Sequence, residues 1–563
     1  MTPSRKESPV RSWLRLWLGA VAWLALVTSS NGAPEPGGSD WWDRLDRSSW
    51  PGPGTAVEDM IDAAVGTGLA EAGLAPASPA DDATLLRRVT LDLAGRIPAW
   101  GEIERYGSDS GAADRWDRTV DGLLASDSAR RFLADEFHWL LTDGRSSEFR
   151  KYVVRAVERE VRWPELFAEV IRGRPDGEAL AGVDGFVRER AADLDQLTND
   201  VSVKFFGVNI SCAQCHDHPY VPSWTQETYY GMKAFFARTF DNGGFAGERG
   251  YGELAYKTVK GEERQAVPRF LGAEPIAEPA AVVPTEEEKK AERVSLEAAR
   301  RARVAPEPPG YSRRERVVAA GLEGEHELWF ARALVNRVWY RMFGTGLVMP
   351  LDQMHGRNEP SHPELLQWLA EDLVAHGYDL RRLLGGMARS QTYRRSSAWP
   401  EGQERPAASV YAVATVRPLS PRQYGIALRL ATADPSSLGP DVDAGTLAQR
   451  LQALEAAGEG LAVRFERPRE AFYVAVDEAL CLSNHEGLDR QLLGSGLVPA
   501  LARIPSFGER MGMAFRVILA RNPGEDEVAV LREYDQSRRD QSHAALEQIV
   551  WALLTSAEAR FNH

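Results

Sequence analysis

Apolar residues along this chain recur mostly at three- and four-residue spacing, the period of a helix with one buried face. Met60, Ile61, Ala64, Val65 and Leu69 form such a face, and Thr55 with Glu58 predicts a capping box that opens the helix. A second helix is predicted over Asp81 to Leu93, stopped by Gly95 and Pro98. The pattern continues through 113–141, 163–171 and 191–208, the last running straight into a pair of cysteines. After Phe240 the texture changes: residues 241–271 carry six glycines and short alternating runs such as Leu254-Ala-Tyr-Lys-Thr-Val-Lys, which suit a small β element. From Gly272 to Pro309 the chain is Pro, Ala and charge. Thr285 caps a predicted solvated helix there, with Glu286 placed to pair with Lys290.

Helical spacing returns near Tyr311. Leu328, Ala331, Leu334, Val335, Val338, Trp339 and Met342 share one face ended by Gly344. Ser361 and Glu364 predict the cap of the next helix, whose face is Leu365, Leu366, Trp368, Leu369 and Leu373 and which Gly377 ends. Three more helices are predicted over 511–519, 526–534 and 544–554. The expected fold is therefore mainly α, with two helical domains (55–240 and 311–563) joined by a small β-rich segment (241–271) and a charged linker (272–310). No fixed-period repeat runs across the helices, which argues against a solenoid.

The first residues read as an address. Arg5, Lys6, Arg11 and Arg15 surround the start of an apolar run from Trp13 to Val27, followed by small residues up to Ala33. That is the build of a secretory signal over 1–32, with an uncleaved anchor as the alternative; the Pro, Gly and Ser of 33–54 then read as a flexible tether. No later stretch is apolar enough for a membrane span. Net charge is −14 over 563 residues, so the basic footprint of duplex nucleic-acid binding is missing. An exported, periplasmic or cell-surface protein with a redox protein or another exported protein as partner is the expectation.

Only three cysteines occur, Cys212, Cys215 and Cys481, too few for a disulfide scaffold. The chemistry concentrates in Cys212-Ala-Gln-Cys215-His216-Asp-His218-Pro219. Two thiols three apart can each form a thioether to a haem vinyl group, and the imidazole that follows can turn a ring nitrogen to the iron. In this leading reading, covalent haem c is held by Cys212 and Cys215, His216 is the proximal ligand, and the function is one-electron transfer. In the alternative, Cys212, Cys215 and His218 hold zinc or iron with a remote ligand and stabilise an interaction module without redox activity. A structural disulfide or a pair of unliganded thiols is the third reading. For the opposite haem face the candidates are Met232, Met349, Met354, His355 and His362, on residue type alone. Cys481, between two leucines, reads as a buried apolar thiol. Phosphate loops, dinucleotide fingerprints, His-Glu-x-x-His and Gly-x-Ser-x-Gly are all missing, and no catalytic residue is assigned.

The stretch Phe205-Phe-Gly-Val-Asn-Ile-Ser-Cys-Ala-Gln-Cys-His-Asp-His-Pro-Tyr220, with Tyr229-Tyr-Gly-Met-Lys-Ala-Phe-Phe236, resembles the planctomycete cytochrome-type domain of unknown function. Leu85 to Leu93 and Val120 to Ser126 resemble its N-terminal part. Phe330 to Trp339, Phe343 to Val348, Ser361 to Leu369 and Ser390 to Ser397 resemble its usual C-terminal companion domain. The resemblance implies an exported, cytochrome-like protein of two domains and carries no assigned activity.

Overall fold

A computed structural model describes residues 40–48, 50–52, 54–109, 111–279, 283–465, 488–494 and 496–563. The signal segment and Cys481 lie outside them. Helix follows helix, and several begin and end where the side chains dictate. Asp81 accepts a hydrogen bond from the Thr84 amide (2.9 Å) to open the helix Asp82–Ala94, and Gly95 closes it in the left-handed region at φ 68°. Gly344, at φ 80°, closes the long helix Glu325–Phe343 in the same way.

Two expected caps differ. The first long helix, Val57–Glu71, starts from Ala56, because the Thr55 hydroxyl turns back to the Gly52 carbonyl at 3.1 Å. The helix Pro363–Ala375 starts from His362 rather than Ser361: Pro363 takes the first helical position, where its fixed φ fits and its missing N–H costs no bond.

The strands are short. Among the described residues, Thr239–Asp241 pairs antiparallel with Ala246–Glu248, Leu254–Lys257 with Glu263–Ala266, and Arg417–Pro418 with Phe561–Asn562. The fold is mainly α, as expected. In the charged stretch, Thr285 and Glu288 form the predicted capping box of a helix, Glu286–Ala302, that buries none of its residues. Its ion pair runs from Glu286 to Lys289 (2.8 Å), one residue short of the expected partner. Asn242 donates to the Leu296 carbonyl (3.0 Å) and Tyr251 to Glu292, so the helix lies against the first hairpin.

Among the described residues, two large apolar cores organise the chain beside a small cluster of Ala234, Tyr256 and Ala266, and neither large core coincides with one half of the sequence. The larger runs from Trp41 to Ala412 and mixes side chains from before and after the linker. At its centre Phe205 stacks on Phe330 (centroids 6.5 Å, planes 11° apart), with Trp163 and Phe167 against both. Trp41 and Trp42 are buried in this core from within the stretch expected to be a tether, and the Arg332 guanidinium lies over both rings. The smaller core holds residues 419–559 together with Leu91, Ile97 and Ala99.

Candidate functional site

The helix Leu194–Phe206 carries the chain to the cysteine motif and stops at Gly207, φ 66°. A β-carbon there would meet the Leu351 carbonyl and the Met354 side chain at 3.2 Å, so the close approach of the two segments needs glycine. The next residues run antiparallel to a loop from beyond the linker. Asn209 donates its amide to the Asp352 carbonyl (2.8 Å) and its side-chain NH₂ to the Asp352 carboxylate (3.1 Å), while Met354 donates to the Gly207 carbonyl (2.9 Å). Asn209 then accepts from the amide and hydroxyl of Ser211 (3.1 and 2.6 Å), an Asx turn that starts the single 3₁₀ turn Ser211–Gln214.

This turn divides the motif by face. Ala213 points inward and is fully buried, whereas Cys212, Cys215 and His216 are exposed and both thiols are free. His216 Nδ1 lies 2.8 Å from the Asp217 carbonyl. Donation of the Nδ1 proton to that oxygen leaves Nε2 as the ring's free lone pair, the tautomer a metal-ligating imidazole needs.

His218 faces the other way. It is buried, and its Nδ1 accepts from the amides of Tyr220 and Val221 (3.3 and 3.2 Å), so its proton sits on Nε2. Its own amide donates to the Trp224 carbonyl at 2.7 Å. Burial, and then the neighbouring His216, hold the imidazole below its usual pKa. The ring packs against Trp224 (5.0 Å) and against His355 (6.1 Å) from the far loop. His355 is buried too, and burial followed by His218 pushes its pKa down to about 4. Trp224 stacks on Trp329 at 6.1 Å, and Trp329 donates to the Met354 carbonyl. The outward face of the motif thus belongs to the first half of the chain, and its back wall to the second.

Gln226 ties the turn to the second hairpin. Its amide NH₂ donates to the Gln214 carbonyl (3.2 Å) and its Oε1 accepts from the Val259 amide at the hairpin tip (2.9 Å). Tyr220 and Val259 stand out as exposed apolar side chains on these two segments, 61% and 69% accessible.

The residues singled out from sequence are therefore separated. Cys212, Cys215 and His216 share the outer surface, and His218 lies beneath them with His355. Among the described residues, no group of three or more His, Cys, Asp and Glu side chains comes together as a metal site, so His218 is not brought to the thiols. Two outward thiols one turn apart, followed by an outward imidazole with Nε2 free, fit the donor set of covalent haem c. Of the candidates for the opposite haem face, Met232 and Met354 are fully buried core side chains. His362 lies against Gly68 and Tyr411, and Met349 is exposed. Asn209 could have been read in the sequence as an Asx turn before the motif; Gln226, Trp329 and Asp352 had no local signal, since each acts through distant chain.

Two family models match. Residues 60–241 match PSCyt2, a protein of unknown function (DUF1549), and residues 313–424 match PSD1, a protein of unknown function (DUF1553). The chain carries the two in the order the sequence resemblance implied. No curated protein and no solved structure matches it.

Proposed function

We propose that this tandem of two domains of unknown function is an exported c-type haem protein that passes single electrons. The observation that carries the reading is the shared outward presentation of Cys212, Cys215 and His216, with the His216 Nδ1 proton committed to the Asp217 carbonyl. Each thiol would add S–H across a haem vinyl C=C, a reaction that balances without oxidant. The haem, once bound, supplies the one-electron couple. The rest is done by the chain. The 3₁₀ turn holds the thiols and the imidazole on one surface, Asp217 orients the ring, and the Asn209–Asp352 ladder holds the turn against the second half of the molecule. Exposure of this surface would let a partner redox protein approach a haem held there.

The test is maturation of the whole chain in a host competent to attach haem, followed by haem staining of a denaturing gel. Wild type stains, and Cys212→Ala with Cys215→Ala does not. A colourless wild-type protein loaded with zinc from that host overturns the reading and favours the structural-metal alternative.

A further inference from the structure

Four indoles run inward from the cysteine face. Trp224 packs against His218 and His355 (centroids 5.0 and 5.6 Å), so its ring lies directly behind the motif. Trp329 stacks on Trp224 at 6.1 Å with planes 18° apart. Trp42 tilts against Trp329 (5.7 Å, 52°), and Trp41 meets Trp42 edge-on (5.3 Å, 73°). All four are buried. The Arg332 guanidinium lies over the last two, 4.7 Å from the Trp42 centroid and 5.5 Å from that of Trp41. Indole is among the most readily oxidised side chains, and rings in contact let an electron pass from one to the next.

We propose that Trp224 and Trp329 form a redox pair that gives up one electron to an oxidant at the cysteine face, and that Arg332 keeps the oxidation from moving on to Trp42 and Trp41. Overlap selects the pair. Two nearly parallel rings share a positive charge across both π systems, whereas the tilted and edge-on contacts farther in overlap little. Charge sets the end of the path. A cation over a ring is attracted by its electrons and repelled once one is removed, so Trp42 and Trp41 are the harder rings to oxidise. Glu325 pairs with Arg332 (2.5 Å), but its side chain is 51% exposed and water screens it, while the guanidinium is buried. Trp329 Nε1 donates to the Met354 carbonyl, an oxygen too weakly basic to take the proton. Each event therefore removes one electron and no proton, and the hydrogen bond strengthens as its donor becomes charged. The oxidant is of the peroxide class. Hydrogen peroxide takes two electrons and two protons from its surroundings to give two waters, one electron from the redox group on the cysteine face and one from the indole pair. That source rests on the haem reading above; the pair itself is testable without haem.

The full chain, made without haem, carries a ruthenium polypyridyl photo-oxidant on Cys212 in a Cys215→Ser, Cys481→Ser background. Tyr220→Phe removes the exposed phenol beside His218 as a competing donor. A flash with a sacrificial quencher generates the one-electron oxidant, and transient absorption should show a tryptophan radical. Trp329→Phe, which keeps an apolar ring in place, should shorten the radical's lifetime about tenfold, the effect of ~1.4 kcal/mol less stabilisation. Trp42→Phe should leave it unchanged. After repeated flashes, tryptic peptides should carry added oxygen at Trp224 and Trp329 and none at Trp41 or Trp42, and Arg332→Gln should bring it to Trp42. If Arg332→Gln does not fold, the unsubstituted Arg332 protein's peptide map stands as the independent measurement. Absence of a tryptophan radical, a lifetime indifferent to Trp329→Phe, or oxygen at Trp41 and Trp42 while Arg332 is present overturns the proposal. A matured protein without haem ends the haem reading and leaves these results standing.

Discussion

An imidazole that accepts two main-chain hydrogen bonds acts as a structural strut, and His218 is in that position. Removing it leaves the Tyr220 and Val221 amides without their acceptor, a loss of about 1–2 kcal/mol where water reaches only one of them. His218→Ala is accordingly expected to lower the denaturation midpoint while haem stays covalently attached, whereas His216→Ala should keep the haem and alter its visible spectrum and potential. Spectra and haem content of the two variants check this; loss of all metal in His218→Ala with an unchanged His216→Ala would reverse the roles. His362 makes a separate prediction, since burial alone pushes its pKa down to about 4. An unfolded imidazole takes up its proton near 6.5, so between these values the unfolded chain binds more protons. Stability from this residue is intact above pH 6.5 and falls as the pH drops toward 4, by on the order of 2–3 kcal/mol. Urea unfolding of His362→Gln should show a shallower acid limb than wild type. Cys212, Cys215 and His216 could be singled out from spacing because they lie within one short stretch of chain. The burial of His218 could not, because it depends on Trp224, Trp329 and His355 arriving from elsewhere.

Helices were the legible elements. A face such as Leu365, Leu366, Leu369 and Leu373 can be seen in the sequence, since i, i+3 and i+4 spacing is a property of one segment. Caps were less so: a Ser or Thr three residues before Glu signals a box, yet Pro363 moved one start and the hydroxyl of Thr55 went to Gly52 instead. The hairpin Leu254–Lys257 with Glu263–Ala266 could be placed by composition, but its seat beside the cysteine turn could not, because Gln226 bridges them through space. Gln226→Leu should free the hairpin tip, raising hydrogen exchange at Val259 and its neighbours by about tenfold, equivalent to one hydrogen bond of about 1–1.5 kcal/mol. Gln226→Glu keeps the acceptor for the Val259 amide but loses the donor to Gln214, so it should protect the tip and still loosen the turn.

At the scale of the molecule, the two halves of the sequence are one packed body. Trp163, Phe167 and Phe205 from before the linker close around Phe330 from after it, and the motif leans on Asp352 through main-chain bonds. The connecting helix Glu286–Ala302 buries nothing, so it is the expected point of limited proteolysis. The nicked chain should give two bands on a denaturing gel yet elute as one species from a sizing column under native conditions, because the shared core holds the pieces together. Separate elution of the pieces would show that the aromatic contacts are dispensable.

That shared core also sets an order of events as the chain is made from its N-terminus. Phe205 and the cysteine turn emerge more than a hundred residues ahead of Phe330 and Asp352, so for that interval the first half has no lid for its aromatic side chains. The thiols are then borne on a segment still waiting for its backing, on a surface more open than that of the finished protein. A chain cut short before Phe330 would remain in that waiting state, with its cysteine turn on offer and nothing behind it to fix its shape.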